Sequence, residues 1–485
     1  MQRPNGSRLG ARCACLLLAA ALALLGASCK FPLPPDVESE DGGGDHDGPG
    51  TIDAHMDGPP VDAPPGPFLV TFGGTVGNVR AAVSSAGEVI VAGTTGATTI
   101  GGEAVSAGVF VAKLRIDGTF AWVRGLPGGP VEVKGVAMAP NGDAYVVGRL
   151  DGTLSLGASS LTSSGSDGFI IKLAADSGAV AQTRLVGSSA SSVFEDWEGL
   201  RAVAVDAAGN AYVTGHFTGG TRPCGIPRTP TDNWDVVVAR YSAATLTCEW
   251  DRVFGSAELD VGDAIATDDL GVYVGITSRG TLNAGGNPLA ATSGSGSDIV
   301  LVRYDATFGG HTWSARYHGG LEGVSALAVA DGGLFVAGTF QSSLSLGGTM
   351  MTSAGGDDVY LARLAASTGA HVWSRSLGGS STEQPIAIGV AGSELHYAGQ
   401  MSGAGQYGGT PLVSRGGSDS VFASYALSDG AHAESSLVGG TMQDVGQLKM
   451  TTPYGLVLVG TFGGIVSFGS EQRASSGTDV FVWRL

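Results

Sequence analysis

The residues of this chain that could bind a cation form a regular series of aspartates. Each begins a short apolar run that ends in Lys or Arg five residues later, and the series comprises Asp167, Asp235, Asp298, Asp358 and Asp479. A ring of carboxylates would suit calcium or a cationic ligand. Aspartate after a Gly/Ser-rich turn more often accepts hydrogen bonds from nearby backbone amides. The pattern therefore favours turn chemistry, with the basic residue paired to carboxylates or carbonyls at the far end of the run.

No other spacing predicts a catalytic, cofactor or metal site. None of the eight histidines forms a His-x-x-x-His pair, and no Gly-x-Ser-x-Gly motif is present. Residues 403–408 spell Gly-x-Gly-x-x-Gly, but Gly-Thr-Pro follows where the dinucleotide motif needs a helix. We predict no catalytic residue, no cofactor and no metal, although a site assembled from distant segments would leave no such motif.

The elements that carry the aspartates recur about every 61 residues. Each repeat has a small-apolar first strand, a second strand ending in glycine, a third beginning with Asp and a fourth centred on Trp, as at Trp122 and Trp250. Glycine supplies 81 of the 485 residues and charged residues only 14%. Short strands buried on both faces and joined by tight turns have this composition. The net charge of −18 argues against a nucleic-acid partner.

Four short strands in each of seven repeats predict an all-β fold, a seven-bladed β-propeller of four-stranded antiparallel blades over residues 68–485. The Ala- and Gly-rich first strands are expected to line a crowded axis. The last repeat stops at Leu485 after its third strand, and residues 68–74 match the missing fourth strand, with Phe68 in the Trp position. We expect this N-terminal strand to complete the last blade and close the ring.

The Asp-x-apolar-x-x-Lys/Arg and Trp-x-Arg-x-x-Gly patterns resemble the bacterial seven-bladed β-propeller repeat family of secreted and cell-surface proteins. The resemblance covers residues 68–485, and it departs at Gly108, Gln182 and Ser424, which replace Asp, Trp and Lys/Arg respectively. It implies a rigid extracytoplasmic scaffold, usually without an enzymatic role.

Residues 1–28 have the order of a bacterial secretory signal, in which arginines precede an apolar run and small residues lead to Cys29. The Leu-Gly-Ala-Ser-Cys ending resembles a lipoprotein signal, in which Cys29 receives lipid and becomes the mature N-terminus. The alternative is ordinary cleavage and a secreted or periplasmic protein. Lys30 in place of Asp favours the outer membrane or cell surface. Residues 29–67, rich in Pro, Gly and Asp, predict a disordered tether.

Two cysteines, Cys224 and Cys248, lie within the third repeat. In an oxidising compartment such a pair indicates a disulfide, which contributes on the order of 3 kcal/mol. The alternative is two free thiols, because the two connections that carry them are expected at opposite ends of the blade.

The third repeat also has the strongest signal for a binding rim. An insertion before its first strand carries Glu195, Asp196 and Trp197, and a later connection carries Arg222 and Arg228. Both connections are expected on the same face, and an exposed Trp among charged residues is typical of surfaces that bind sugars or peptides. The alternative is an insertion without function.

These features predict a surface-anchored, non-catalytic β-propeller lipoprotein that binds an extracellular protein or polysaccharide as a monomer. Its membrane contact would be the lipid anchor. The alternative is a propeller enzyme that acts on extracellular carbohydrate with carboxylates from several blades. Two or more acids from different blades converging at the axis would favour the enzyme.

Overall fold

The computed structural model describes residues 66–187, 199–218, 221, 223–228, 234–291, 296–440, 445–448 and 456–485. The chain divides into two units, Met1–Pro60 and Val61–Leu485, and every described residue belongs to the second. The predicted signal, Cys29 and nearly all of the predicted tether lie outside the described residues. Within the described ranges, no helix is long and apolar enough to cross a membrane.

Every regular element in the described part of the chain is a β-strand. The strands are β1 Phe68–Gly74, β2 Val76–Val83, β3 Val89–Thr95, β4 Thr98–Ile100, β5 Glu103–Val105, β6 Gly108–Leu114, β7 Phe120–Met138, β8 Ala144–Ser155, β9 Ser160–Leu173, β10 Val180–Val186, β11 Gly199–Val205, β12 Ala211–Phe217, β13 Asp235–Tyr241, β14 Cys248–Phe254, β15 Asp260–Thr267, β16 Gly271–Ser278, β17 Asp298–Asp305, β18 His311–Tyr317, β19 Glu322–Ala330, β20 Gly333–Phe340, β21 Ser343–Leu344, β22 Met351–Thr352, β23 Asp358–Ala365, β24 His371–Gly379, β25 Gln384–Ala391, β26 Glu394–Gln406, β27 Leu412–Ala426, β28 His432–Gly440, β29 Val445–Leu448, β30 Val457–Phe468 and β31 Glu471–Arg484.

Successive strands pair antiparallel in meanders of four, and these meanders are the blades of a β-propeller. Two blades are separate sheets, β11–β12–β13–β14 and β15–β16–β17–β18. Long strands join other blades: β7 is the outermost strand beside β6 and then continues as the innermost strand beside β8. The prediction of an all-β propeller with four-stranded antiparallel blades is confirmed.

The core lies between blades, because each third strand is covered on both faces. In β13, Val236 and Val238 pack toward β15–β18, whereas Val237 and Ala239 pack toward the blade of β8 and β9. All four side chains are almost fully buried. This two-sided burial explains the unbroken apolar runs in the sequence.

A large side chain on the fourth strand of several blades donates a hydrogen bond to a backbone carbonyl of the next blade. The indole N–H of Trp122 donates to the carbonyl of Ala175 at 2.8 Å, and that of Trp313 donates to the carbonyl of Ala366 at 3.0 Å. Gln182, which replaces Trp in the second repeat, donates from its amide to Ala244 at 2.6 Å. The substitution therefore preserves the hydrogen bond between blades.

The two ends of the described chain meet in one sheet. Strand β1 pairs with β31, with Phe68 opposite Arg484 and Gly74 opposite Thr478. The guanidinium of Arg484, fully buried, donates to the carbonyl of Ile116 at 2.5 Å. A cluster of buried apolar side chains connects β1, β30 and β31 to β2, β3 and β6.

Candidate functional site

The innermost strands of the blades surround a cavity of about 450 Å³. Segments of β2, β7, β11, β15, β19 and β25 line it. Side chains of β29, the corresponding strand of the next blade, lie outside what the structure describes. The cavity is the point at which residues from different blades come together, so we take it as the candidate site.

A β-bulge places one side chain from each of these six strands at the cavity. In five of the strands the pairing register skips one residue at the same point. In β2 the shift lies between Gly77 and Arg80, so that Arg80 is the first paired residue after it. A bulge inserts one extra residue and re-aims its side chain. The six residues at or directly after the shift are Arg80, Lys134, Arg201, Asp263, Ser325 and Ile386.

Three consecutive blades contribute cations, and we call Arg80, Lys134 and Arg201 the basic arc. The Nε of Arg80 donates to the backbone carbonyl of Lys134 at 2.9 Å, which ties the first two blades together. Lys134 Nζ lies 2.7 Å from Glu132 Oε2. Burial and the like charge of Arg201 lower the pKa of the Arg80 guanidinium. The arc therefore holds positive charges close enough to repel one another.

The arc ends at Asp263 on the fourth blade. Arg201 Nε lies 3.0 Å from Asp263 Oδ1, and the Thr277 hydroxyl donates to Asp263 Oδ2 at 2.6 Å. Burial raises the pKa of Asp263, while the charge of Arg201 opposes that effect. Among the described residues, the lining beyond Asp263 is uncharged, with Ser325, Ile386 and aliphatic side chains.

Sequence reasoning expected small residues at the axis and missed the charged ones. Small residues are present, since Ala81, Gly135, Ala202 and Ala264 line the cavity. In β7, β11 and β15 the residue directly before the small one is the residue that the register skips, and in β2 it directly follows the shift. A charged residue at the same point of successive first strands was the signal that could have identified the arc.

The predicted binding rim is described only in part. Glu195, Asp196, Trp197 and Arg222 lie outside the described residues. Arg228 makes an ion pair with Asp251 at 2.5 Å, and the Asp251 side chain is almost fully buried. Arg228 therefore anchors its loop to β14, and this contact gives it a structural role whether or not the rim binds a partner.

Cys224 and Cys248 are brought together as a disulfide, with their Cα atoms 4.9 Å apart. The expected obstacle was that the two connections leave opposite ends of the blade. The loop overcomes it by running back to the start of β14, where the backbone N–H of Cys224 donates to Asp251 Oδ2 at 3.2 Å.

Two of the aspartates that begin third strands accept hydrogen bonds from backbone amides of the preceding turn, as predicted, whereas Asp298 pairs with Arg316 of the fourth strand at 2.6 Å. Asp358 Oδ2 accepts from the backbone N–H of Ala354 at 2.5 Å, and Asp419 Oδ2 from that of Arg415 at 2.6 Å. The basic residue five positions on also pairs as expected, since Lys172 Nζ lies 3.0 Å from Asp143 Oδ2. Across the described ranges, no three His, Cys, Asp or Glu side chains form a group that could hold a metal ion.

Sequence reasoning did not identify a second acid at the blade junctions. Glu322 lies near Asp298, and Glu383 lies near Asp358. Burial is the main reason that the pKa of Glu322 rises to about 7, and burial also raises the pKa of Glu383. These residues belong to the packing between blades rather than to the axial cavity.

No known family model matches the chain. No curated protein matches it either. Several solved structures are similar to the chain at low identity. BamB from Moraxella catarrhalis is 13% identical, with 84% of this chain and 82% of that chain covered and a TM-score of 0.34. The β-propeller domain of Cps50 (Swd1) from Myceliophteria thermophila is 9% identical, with 86% and 100% covered and a TM-score of 0.42. Quinohemoprotein alcohol dehydrogenase from Comamonas testosteroni is 10% identical, with 86% and 76% covered and a TM-score of 0.40.

Proposed function

We propose that the protein is a surface-anchored, non-catalytic β-propeller that binds an extracellular protein or polysaccharide. The observation that carries this proposal is the axial cavity of about 450 Å³, to which bulges direct one side chain from each of six strands. The hydrogen bonds between blades hold these strands in fixed positions, which preorganises the cavity for a ligand.

We further propose that the propeller has seven blades and a closed ring. The pairing of β1 with β31 supports closure, as does the bond from Arg484 to Ile116. Equivalent bonds join consecutive blades elsewhere, such as the one from Arg363 to the carbonyl of Leu427 at 2.8 Å. A closed ring leaves no unpaired strand edge between the ends of the chain.

Attachment at the cell surface through lipid on Cys29 remains part of the proposal, on the strength of the signal-like sequence before it. The acidic, Pro- and Gly-rich residues 29–67 would hold the propeller away from the outer membrane. Secretion without lipid is the other outcome of processing at this position.

An enzyme acting on extracellular carbohydrate requires acids from several blades at the axis. Among the described residues that line the cavity, Asp263 alone carries a carboxylate, and it is engaged by Arg201 and Thr277. The observed lining thus supports the binding function over the enzyme.

The test is a glycan and protein array probed with the full mature chain, together with Trp197→Ala and Lys134→Gln variants. We expect at least one ligand class to bind. Loss of signal in Trp197→Ala would place binding on the predicted rim, and loss in Lys134→Gln would place it at the axis. A blank result on both arrays would contradict the proposed function.

A further inference from the structure

We propose that one blade junction binds a calcium ion, with the carboxylates of Asp358 and Glu383 as its charged ligands. Asp358 begins β23, the third strand of its blade, and Glu383 directly precedes β25, the first strand of the next blade. Neither residue lines the axial cavity, so the inference goes beyond the proposed binding function.

The two carboxyl groups are buried side by side. Asp358 is 1% exposed and Glu383 is 0% exposed. A Cβ atom on Gly378 would lie 2.5 Å from Asp358 Oδ1 and 2.6 Å from Glu383 Oε2, so both oxygens border the space that this glycine leaves open. Asp358 Oδ2 accepts from the backbone N–H of Ala354, and Glu383 Oε2 from that of Gly379 at 3.2 Å. Asp358 Oδ1 and Glu383 Oε1 have no hydrogen-bond partner among the described residues.

No described cation of the protein balances this pair. None of the ion pairs between described residues includes Asp358 or Glu383. Burial, together with the charge of Asp358, raises the pKa of Glu383 to about 7. Two buried carboxylates repel one another and have lost their hydration, which is costly without a counter-ion. A divalent cation would neutralise both charges.

The preceding blade junction has a similar acid pair together with a protein cation. Glu322 lies near Asp298, and Arg316 Nε lies 2.6 Å from Asp298 Oδ2, with both side chains of this ion pair 6% exposed. In the next blade Ser376 takes the position of Arg316, since each pairs with the residue two after the third-strand aspartate. Serine supplies no charge, so a bound cation would take the role that the guanidinium has at the preceding junction.

Neutral oxygen atoms lie in the same buried region. The hydroxyl groups of Tyr397 and Tyr407 are buried and have no hydrogen-bond partner among the described residues. The two rings are 6.1 Å apart, and burial together with the charge of Glu383 raises the pKa of Tyr407. Calcium accepts about six to eight oxygen ligands in flexible geometry, from carboxylates, neutral groups and water, whereas magnesium demands a near-ideal octahedron. Two carboxylates beside neutral oxygens therefore favour calcium.

The inference is tested by calorimetric titration of the full mature chain with calcium chloride, after EDTA treatment and dialysis. We expect one calcium ion per chain. Glu383→Gln removes one charged ligand and keeps the size of the side chain, and it should weaken calcium binding about tenfold or more. Ser376→Arg introduces a guanidinium where the preceding blade has one, and it should abolish calcium binding.

The matched control is Glu322→Gln, which makes the same change at the junction where Arg316 already supplies the charge. Its calcium affinity should equal that of the unmodified chain. Ser376→Arg should also raise the free energy of unfolding in EDTA, because the added cation faces the acid pair. This arm therefore decides the question even if Glu383→Gln fails to fold.

Two results would overturn the inference. One is the absence of calcium binding by the unmodified chain at millimolar concentration, in which case the two acids share a proton instead. The other is the same calcium affinity in the unmodified chain, Glu383→Gln and Ser376→Arg, which would place the ion elsewhere.

Discussion

Glu322 and Glu383 are buried carboxyl groups at successive blade junctions, and each lies near an aspartate of the preceding blade. Burial raises the pKa of Glu322 from its ordinary 4.5 to about 7, and the charge of Asp298 adds to the shift. The folded protein therefore holds a proton on Glu322 at pH values where the unfolded chain has released it. This proton is a source of pH dependence that the sequence pattern does not reveal.

We predict that the contribution of Glu322 to the free energy of unfolding falls as pH rises from about 4.5 to about 7, because this carboxyl group then binds fewer protons in the unfolded chain than in the folded one. The stabilisation is complete below the unfolded pKa and is lost as pH rises through the folded pKa. Glu322 accounts for on the order of 2 kcal/mol of this change. Urea unfolding at pH 5 and pH 8 measures it.

Glu322→Gln keeps the shape of the protonated acid and should reduce the difference between the two pH values. Glu103→Gln is the matched control, since Glu103 is an exposed carboxylate on β5. An unchanged pH slope in Glu322→Gln would show that this residue is ionised in the folded protein at both pH values.

The disulfide between Cys224 and Cys248 gives a second prediction at the residue scale. Intact-mass measurement should show a gain of two hydrogens after reduction. Replacing both cysteines by serine should lower the free energy of unfolding by about 3 kcal/mol, because the unfolded chain loses a constraint. Two alkylatable thiols in the unreduced protein would contradict the pairing.

At the scale of the element, the contact between a fourth-strand Trp and a turn glycine of the next blade recurs along the chain. The backbone of Gly309 has a φ of 64°, and a Cβ atom there would lie 2.6 Å from Trp250. The indole N–H of Trp250 donates to Ala306 in the same turn at 3.2 Å. The turn thus requires glycine both for its backbone conformation and for its packing.

We expect Gly309→Ala to destabilise the protein by about 2 kcal/mol, since both the left-handed backbone and the clash with Trp250 act against it. Gly310→Ala is the control, because a Cβ at Gly310 would meet no atom within 4 Å. Urea unfolding compares the two variants. Equal stabilities would mean that the turn relaxes away from Trp250 at no cost.

The strand pattern of a blade was predictable from the sequence because glycine, aspartate and tryptophan recur at fixed points of every repeat. Local spacing also predicted that Asp accepts from turn amides and that the basic residue pairs with carboxylates or carbonyls, but it did not identify the partner, which for Lys172 is Asp143. The bulges did not, because register shifts depend on how a strand meets its neighbour rather than on its own residues. For that reason the charged residues of the axial cavity were missed while the alanines beside them were expected.

At the scale of the whole molecule, the bond from Arg484 to Ile116 links residues that are far apart in sequence. The corresponding bond from Arg363 to Leu427 lies between consecutive blades. If the ring is closed, the two arginines occupy equivalent positions. This closure of the ring was predictable from the sequence, because residues 68–74 match the fourth strand that the last repeat lacks.

We predict that Arg484→Met and Arg363→Met each lower the free energy of unfolding by about 2 kcal/mol, since each removes a hydrogen bond from a charged donor. Thermal or urea unfolding gives both values. If Arg363→Met lowered the free energy of unfolding and Arg484→Met left it unchanged, the result would indicate that the ends of the chain separate in solution.

The central claim is that the propeller binds its ligand in the axial cavity, and the position of a bound ligand tests it most directly. A crystal of the full mature chain soaked in the ligand that the arrays identify would reveal that position. We predict electron density for the ligand in the axial cavity, in contact with the innermost strands of several blades. A ligand found only on the outer surface, with none in the cavity, would contradict the claim.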